Sequence, residues 1–321
     1  MAEYAVIGVG GVGGFYGVQL LRAGADVHFL IRSAPVGASQ LTLRTGGEEV
    51  RADLPPTSRI HREWATLPQV DIAVVAVKAT ANAEVVDLVP RIVRPGGSIV
   101  LIQNGIDAEP AFAAAAGSDV DVVGGLAFLA SHRAGATRFV HVDYGTLTLA
   151  RYADQYQPGG TGTGMTSLQS DLERAGVAVV LAPDLLAARW QKLAWNIPFN
   201  GLSVLLDART DELVADPSAT SLALDLMQEV MAAASGDGRR LPPGLPDRML
   251  DLTREMRPYA PSMRLDFQER RALEVDALYR AAVRRAARAG VAMPRTEALA
   301  EALEFLDRRN RGQMAVASQV R

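Results

Sequence analysis

Residues 2–32 read AEYAVIGVGGVGGFYGVQLLRAGADVHFLIR and predict a strand, a glycine-rich turn, a helix and a second strand. An apolar run at residues 4–7 leads directly into the glycines, an amphipathic segment follows them, and a second apolar run covers residues 27–31. Short apolar runs between turn signals are typical of buried strands, and the segment between them has the period of a helix. This order is that of a βαβ unit that binds a dinucleotide.

Three glycines in the turn, Gly8, Gly10 and Gly13, have the spacing GxGxxG. Gly8 permits the tight turn, Gly10 lets the backbone approach a pyrophosphate, and Gly13 allows the helix to pack closely on the strand. The start of the helix offers free N–H groups and the positive end of its dipole to the phosphates. Together with Gly11 and Val12 they form the predicted pyrophosphate site. The alternative is a glycine-rich turn without a ligand.

The end of the second strand predicts which dinucleotide binds. An NAD site usually places Asp or Glu there to accept hydrogen bonds from the ribose hydroxyls. This chain has Arg32 instead, whose charge and planar set of donors suit a 2′-phosphate. We therefore expect NADPH as the cofactor. The alternative is that Arg32 is an ordinary solvated arginine at a strand end.

The composition indicates a globular enzyme without disulfides or cysteine-ligated metal, and nothing in it points to a metal site made of carboxylates alone. The 321 residues are 49% hydrophobic and 21% charged, with a net charge of −3, so nothing points to nucleic acid or a membrane surface as a partner. Cysteine is absent, and the four histidines lack the spacing of metal ligands. No apolar run is long enough to span a membrane, and no signal-peptide pattern begins the chain, so we expect a cytoplasmic protein.

Strand-like and helix-like segments alternate as far as residue 183. An apolar strand is predicted over residues 70–79, a helix over 83–93, a turn at 94–97 and a further strand over 98–102. The remaining predicted strands lie at residues 41–54, as a hairpin, and at 120–129 and 138–150.

Beyond residue 183 the pattern becomes helical, with predicted helices at residues 185–206, 218–234, 244–256, 263–289 and 296–310. The sequence therefore predicts an α/β fold, with a Rossmann-type dinucleotide-binding domain over 1–183 and an all-helical domain over 184–321. In two-domain dehydrogenases the substrate binds in the cleft between the domains, so we expect chemistry from both halves.

Lys192, Asn196 and Asn200 recur every four residues and form one polar stripe on a helix. Their neighbours are Trp, Leu, Ile and Phe, which are too apolar for a solvated helix face. A buried polar stripe needs partners, and a polar substrate could supply them. The alternative is that the asparagines bond nearby backbone or cap a helix bent at Pro198, while Lys192 extends to solvent.

Ser262, Asp266, Arg270 and Glu274 have the same spacing and are predicted to share one face of the helix over 263–289. Charges at this spacing are usually solvated, and their ion pairs contribute little, so this stripe alone is weak evidence of function.

Lys78 and Asn104 each follow an apolar strand of the parallel type. Ligands of open α/β sheets bind at the carboxyl ends of such strands, which makes both residues candidates for cofactor or substrate binding.

Taken together, these residues resemble the ketopantoate reductase family (2-dehydropantoate 2-reductases), NADPH-dependent enzymes of pantothenate synthesis. The similarity extends in the same order over nearly the whole chain. Its motifs are the glycine turn, Arg32, Val77-Lys78, Gln103-Asn104-Gly105, Trp190-x-Lys192-x-x-x-Asn196-x-x-x-Asn200, Ser262-Met263-x-x-Asp266 and Glu274-Val275-Asp276.

The resemblance implies transfer of a hydride from the nicotinamide C4 to the keto carbon of a branched 2-keto acid. Lys192 is then expected to be the general acid that protonates the developing alkoxide. Its charge would stabilise that oxygen beforehand, and burial should lower its pKa toward working pH. Glu274 is expected to hold Lys192 and to engage the substrate hydroxyl.

The resemblance also assigns binding roles. Asn104 is expected to order the nicotinamide and the lysine, and Lys78 to lie near the cofactor phosphate or ribose. Asn196, Asn200 and Ser262 are expected to bind polar groups of the substrate. The implied helical domain is of the type found at the C-terminus of 6-phosphogluconate dehydrogenase.

Two departures from the family pattern affect the expected substrate pocket. Tyr259 stands where the family has a substrate-binding asparagine, and Ala277-Leu278-Tyr279-Arg280 replaces a run that often contains glycine. Ketopantoate is therefore the first substrate expected, with a different 2-keto acid or bulkier ketone as the second. An opine-type dehydrogenase and a dinucleotide sensor without catalysis are two further functions compatible with the sequence. The exposed faces of the C-terminal helices make a homodimer possible.

Overall fold

A ten-stranded mixed sheet forms the first of two structural units, Met1–Ala188, in a computed structural model that describes residues 1–258 and 260–313. The unit begins with β1 (Glu3–Ile7), α1 (Gly11–Arg22) and β2 (Asp26–Leu30). β1 and β2 pair in parallel, with Ile7 opposite Leu30. The predicted strand, glycine turn, helix and strand are therefore confirmed.

The rest of the first unit extends this sheet on both sides. The additional elements are β3 (Gln40–Thr45), β4 (Glu48–Asp53), β5 (Arg59–His61), β6 (Val70–Val75), α2 (Asn82–Val85), β7 (Val93–Ile102), α3 (Glu109–Ala116), β8 (Asp121–Arg133), β9 (Arg138–Arg151), α4 (Thr163–Arg174) and β10 (Val179–Leu181). The strand order is β4-β3-β9-β8-β7-β6-β1-β2-β5, with β10 paired to β9, and the strands from β8 to β5 in this order run parallel.

Both faces of the parallel strands are buried. Along β1, Tyr4 and Val6 belong to one apolar cluster, while Ala5 and Ile7 belong to the cluster on the opposite face. Alternate side chains of a strand point to opposite faces, so a strand that is apolar at every position fits a sheet covered on both sides. The continuous apolar runs of the sequence therefore have a direct structural cause.

The connection between β6 and β7 differs from the prediction. The predicted helix over 83–93 is reduced to the single turn of α2 and a 3-10 turn at Val89–Ile92. Pro90 explains this, because it lacks an N–H donor and disfavours helical backbone at the residue before it. The predicted turn at 94–97 instead lies within β7, where the pairing register with β6 shifts between Val70 and Ile72.

The second unit, Arg189–Arg321, contains helices and no strand within its described residues. The fold class is thus confirmed as an N-terminal Rossmann-type domain followed by a helical domain. The predicted boundary at residue 183 precedes α5, and the division of the structure falls within that helix. The helices are α5 (Leu185–Leu205), α6 (Thr210–Ala215), α7 (Pro217–Gly236), α8 (Leu245–Glu255), α9 (Ser262–Gln268), α10 (Ala281–Arg288) and α11 (Pro294–Asn310).

The single helix predicted over 263–289 is wrong. Helix α9 ends at Gln268, and a π-helical segment, Asp276–Arg280, precedes α10. Arg270 has a φ of 55°, and the N–H groups of Arg270 and Arg271 donate to the carbonyls of Phe267 and Asp266. This is the Schellman pattern that ends a helix, with arginine at the left-handed position where glycine is usual. The sequence lacked the glycine that normally marks such an end.

No helix among the described residues is long and apolar enough to cross a membrane.

Candidate active site

Four predicted cofactor residues follow neighbouring parallel strands. Gly8 follows β1, Arg32 follows β2, Lys78 follows β6 and Asn104 follows β7, and these strands are adjacent in the order β7-β6-β1-β2. Because parallel strands end at the same edge of a sheet, the four residues belong to one edge of the first unit. This is the edge at which open α/β sheets bind ligands.

The glycine turn has the shape that a pyrophosphate needs. Gly8 has a φ of 88°, and a Cβ atom there would lie 2.3 Å from the backbone nitrogen of Val77. A Cβ on Gly13 would lie 2.4 Å from the carbonyl oxygen of Gly8, so α1 packs tightly behind the turn. A Cβ on Gly10 would meet no atom within 4 Å, which leaves its backbone open to a ligand. The turn therefore fits a dinucleotide pyrophosphate.

Gly11 has a different role from the other glycines of the turn. A Cβ there would lie 2.4 Å from the carbonyl oxygen of Ser131, on strand β8. The Ser131 hydroxyl in turn lies 3.1 Å from the carbonyl oxygen of Gly11. Strand β8 thus packs directly on the glycine turn, a contact that the spacing of the motif did not predict.

Gln103 connects the two loops that carry Lys78 and Asn104. Its buried amide donates to the carbonyl oxygen of Val77 at 2.9 Å and to Oδ1 of Asn82 at 2.6 Å. The sequence placed Gln103 in a family motif without giving it a role. Its position immediately before Asn104, at the end of an apolar strand, was the signal available.

The predicted polar stripe lies on one helix, because α5 includes Lys192, Asn196 and Asn200. Both asparagines are buried, and Nδ2 of Asn200 donates to Oδ1 of Asn196 at 3.3 Å. Oδ1 of Asn200 accepts from the backbone N–H of Met263 at 3.4 Å. That N–H lies in the first turn of α9 and has no partner within its own helix. Asn200 therefore anchors the segment that begins with Ser262, through backbone that lies 63 positions away in the sequence.

Lys192 has the most chemically useful perturbation in the second unit. Desolvation by burial lowers its pKa from the ordinary 10.5 to about 7, and the positive charge of Arg189 contributes to the same lowering. The negative charge of Glu274 acts in the opposite direction and favours the ammonium form. A lysine with a pKa near neutrality can both donate and accept a proton at physiological pH.

The predicted stripe of Ser262, Asp266, Arg270 and Glu274 is wrong as a continuous helical face, because α9 ends before Arg270. Ser262 is the first residue of α9 and is exposed, whereas Asp266 is buried and accepts from Nε of Arg271 at 2.9 Å. Glu274 is buried beyond the break, next to the π-helical segment. Tyr259, the first departure from the family pattern, lies outside the described residues.

The second departure from the family pattern packs on α5. The buried hydroxyl of Tyr279 donates to the carbonyl oxygen of Ile197 at 3.1 Å, one residue before Pro198. A Cβ on Gly201 would lie 2.8 Å from the same hydroxyl. Tyr279 therefore fills the space beside the segment of α5 that carries both asparagines.

Among the described residues no cluster of three or more His, Asp or Glu side chains could hold a metal ion.

Comparison with known proteins identifies the relatives of this chain. Residues 4–154 match the family model described as ketopantoate reductase PanE/ApbA, and residues 184–307 match the model of its C-terminal domain. The chain is 41% identical over 317 residues to the 2-dehydropantoate 2-reductase of Nostoc sp. strain PCC 7120, a match that covers 98% of this chain and 99% of the relative.

Solved structures give the same result. The 2-dehydropantoate 2-reductase of Geobacter metallireducens GS-15 superposes with a TM-score of 0.87 at 34% identity, over 94% of this chain and 99% of that one. The enzyme of that name from Methylococcus capsulatus has a TM-score of 0.86 at 31% identity, over 99% of this chain and 100% of that one.

Proposed function

The chain belongs to the ketopantoate reductase family, and we propose on this premise that it reduces 2-dehydropantoate (ketopantoate) to pantoate with NADPH. The relatives described above are named for this reaction, and the chain matches each of them over nearly its full length. The observation that carries the chemical part of the proposal is the position of Lys192 on α5, where desolvation lowers its pKa to about 7 against the opposing charge of Glu274.

The first unit supplies the cofactor site of this proposal. The open backbone of Gly10 and the close packing at Gly8 and Gly13 form the cradle for the pyrophosphate, with Gly11 and Val12 completing the turn. Arg32 is assigned to the 2′-phosphate. Lys78 and Asn104, at the ends of β6 and β7, are assigned to the ribose and nicotinamide portions. When bound, NADPH supplies the hydride.

Lys192 supplies the proton in this mechanism. Its ammonium donates a hydrogen bond to the keto oxygen of the substrate and stabilises the charge that develops there. The same group then releases its proton to that oxygen, which yields the hydroxyl of the product. A pKa near 7 makes the transfer favourable, because an ordinary lysine with a pKa of 10.5 holds its proton much more tightly.

Glu274 keeps Lys192 charged before the reaction. Burial and Arg189 both favour the neutral amine, and the Glu274 carboxylate is the negative charge that opposes them. We assign the binding of the substrate's hydroxyl to the same carboxylate. Lys192 and Glu274 both belong to the second unit. We assign substrate binding and catalysis to residues 184–321 and cofactor binding to residues 1–183.

Asn104, Asn196 and Ser262 are assigned to polar groups of the substrate. Asn200, also expected to bind substrate, is assigned mainly a positioning role, since its side chain is already engaged by Asn196 and by the N–H of Met263. The bond to the N–H of Met263 anchors helix α9, which begins at Ser262. We therefore infer that Asn200 acts on the substrate by positioning Ser262.

A different 2-keto acid is the second candidate substrate. Tyr279, in the segment that departs from the family pattern, occupies space beside α5 and contacts Ile197. This bulk supports a pocket of altered shape with the same proton donor. A sensor without catalysis is disfavoured, because binding a dinucleotide does not require a lysine with a pKa near 7. We further propose a cytoplasmic homodimer as the form of the enzyme, which size-exclusion chromatography with light scattering would test.

A substrate panel tests the proposal. NADPH oxidation is followed by its loss of absorbance with ketopantoate, pyruvate, 2-ketoisovalerate and phenylglyoxylate, and each assay is repeated with NADH. We expect the highest kcat/KM for ketopantoate with NADPH. A higher value for another 2-keto acid would assign the second candidate, and no oxidation with any of them would contradict the reductase.

A further inference from the structure

Strand β8 ends beside the residues that follow β2. Nη2 of Arg133, the last residue of β8, donates to the Ser33 hydroxyl at 2.7 Å, although one hundred residues separate the two in the chain. The same guanidinium donates to the carbonyl oxygens of Gly135 at 2.8 Å and Ala136 at 2.9 Å. Arg133 is therefore held in place by the hairpin turn while it reaches Ser33.

Arg62 contacts the backbone immediately before Ser33. Nε of Arg62, one residue after β5, lies 3.4 Å from the carbonyl oxygen of Arg32. Arg32, Arg62 and Arg133 are all exposed. Within residues 1–258 and 260–313, none of these three guanidiniums forms an ion pair with a carboxylate. The three charges thus belong to residues that adjoin or contact residues 32–33 and have no neutralising carboxylate in the described part of the chain, which favours an anion at this point.

The same strand also contacts the glycine turn. The Ser131 hydroxyl lies 3.1 Å from the carbonyl oxygen of Gly11, and a Cβ on Gly11 would lie 2.9 Å from Cα of His132. Ser131, His132 and Arg133 thus run from the pyrophosphate turn to Ser33. A dinucleotide connects the same two points, since its adenosine ribose lies between the pyrophosphate and the end of the second strand.

We propose that Arg133 is a specificity-determining residue for the dinucleotide, and that it binds the 2′-phosphate together with Arg32 and Arg62. Ser33 orients Arg133 through its hydroxyl. A dianionic phosphate matches these positive charges, and Nη1 of Arg133, which none of its three hydrogen bonds uses, is the donor group that a phosphate oxygen would engage. The inference rests on the proposed NADPH cofactor and adds two residues, one just after β5 and one at the end of β8, to the single arginine that the sequence predicted.

Isothermal titration of the full chain with NADP⁺ and, separately, with NAD⁺ tests this assignment. For Arg133→Met we expect the Kd for NADP⁺ to rise at least about tenfold, the effect of a lost charge-assisted hydrogen bond, with the Kd for NAD⁺ unchanged within about twofold. Arg138→Met is the matched control, since Arg138 begins the next strand of the same hairpin and pairs with Glu49 at 3.7 Å. Neither Kd should change in that variant.

Ser33→Ala is the second variant, and it keeps all three charges. We expect the Kd for NADP⁺ to rise about threefold in this variant, because only the orienting hydrogen bond is lost. Equal weakening of NADP⁺ and NAD⁺ binding in Arg133→Met would assign Arg133 to the structure of the hairpin and overturn the proposal. Unchanged NADP⁺ binding in both variants would also overturn it.

Experiments on the wild-type protein distinguish an error in the proposed reaction from an error in the role of Arg133. A wild-type protein that binds NADP⁺ tightly but reduces no keto acid would contradict the reaction and leave the Arg133 test intact. A wild-type protein that binds NADP⁺ no more tightly than NAD⁺ would contradict the proposed cofactor, and the role of Arg133 with it.

Discussion

The glycine turn of the first unit and helix α5 of the second are controlled by different physical properties. At the turn, backbone conformation and close packing determine the shape of the site, because Gly8 needs a positive φ and Gly13 needs the absence of a side chain. At α5, the decisive property is electrostatic, because burial and two neighbouring charges set the pKa of Lys192. A short motif can specify the first kind of site, whereas the second kind depends on residues that are distant in the sequence.

Loss of the Lys192 amine should have the largest effect. We expect Lys192→Ala to lower kcat by about 10²-fold or more, the usual loss when a general acid is removed, while NADPH binding stays close to that of the wild type. Steady-state kinetics and titration with NADPH measure the two quantities. Gln191→Ala, an exposed neighbour on the same helix, is the control and should retain full turnover. If Lys192→Ala turns over substrate at close to the wild-type rate, Lys192 is not the proton donor and its lowered pKa does not control the reaction.

Two glycine substitutions should separate binding from packing in the turn. Gly11→Ala is expected to destabilise the protein by about 1–3 kcal/mol, since its Cβ would overlap the backbone of Ser131. Gly10→Ala meets open space, so its melting temperature should stay within a few degrees of wild type while its affinity for NADPH falls. Thermal melts and NADPH titrations distinguish the two. Equal stabilities of both variants would contradict the packing of β8 on the turn.

The parts of the fold that depend on glycine spacing and apolar periodicity were predictable from the sequence. The βαβ unit and the helical second half followed from apolar periodicity and from the glycine spacing. The end of α9 did not, because Arg270 takes the left-handed position where glycine is usual. The anchoring of α9 by Asn200 could not be predicted either, since that hydrogen bond joins residues 63 positions apart.

Removal of the Glu274 charge should shift the pH dependence of catalysis. Glu274 favours the charged form of Lys192, so Glu274→Gln is expected to lower the pKa of Lys192 below its value of about 7. The fall of kcat/KM for keto acid reduction with rising pH should then begin at a lower pH than in the wild type. Asp276→Asn, an exposed neighbour that pairs with Arg284, is the control and should leave the profile unchanged. A profile unaltered in Glu274→Gln would separate this carboxylate from Lys192.

A buried histidine pair in the first unit should give the smallest effect. Nδ1 of His28 lies 3.0 Å from Nε2 of His61, and the pKa of His61 is lowered by desolvation, with further contributions from the charges of His28 and Arg59. The unfolded chain therefore binds a proton at a higher pH than the folded one does, so stability falls as pH decreases below about 6.5. His61→Asn should reduce this fall in melts between about pH 7.5 and pH 5. An identical slope in both proteins would exclude His61 as its cause.

The pH dependence of the wild-type enzyme in both reaction directions tests the role of Lys192 most directly. Reduction of the keto acid needs the ammonium form of Lys192, and oxidation of the hydroxy acid by NADP⁺ needs the neutral amine. We predict that kcat/KM for reduction decreases above about pH 7 and that kcat/KM for oxidation increases through the same pKa. Reduction that stays constant up to about pH 9, without a matching rise in oxidation, would contradict Lys192 as the proton donor.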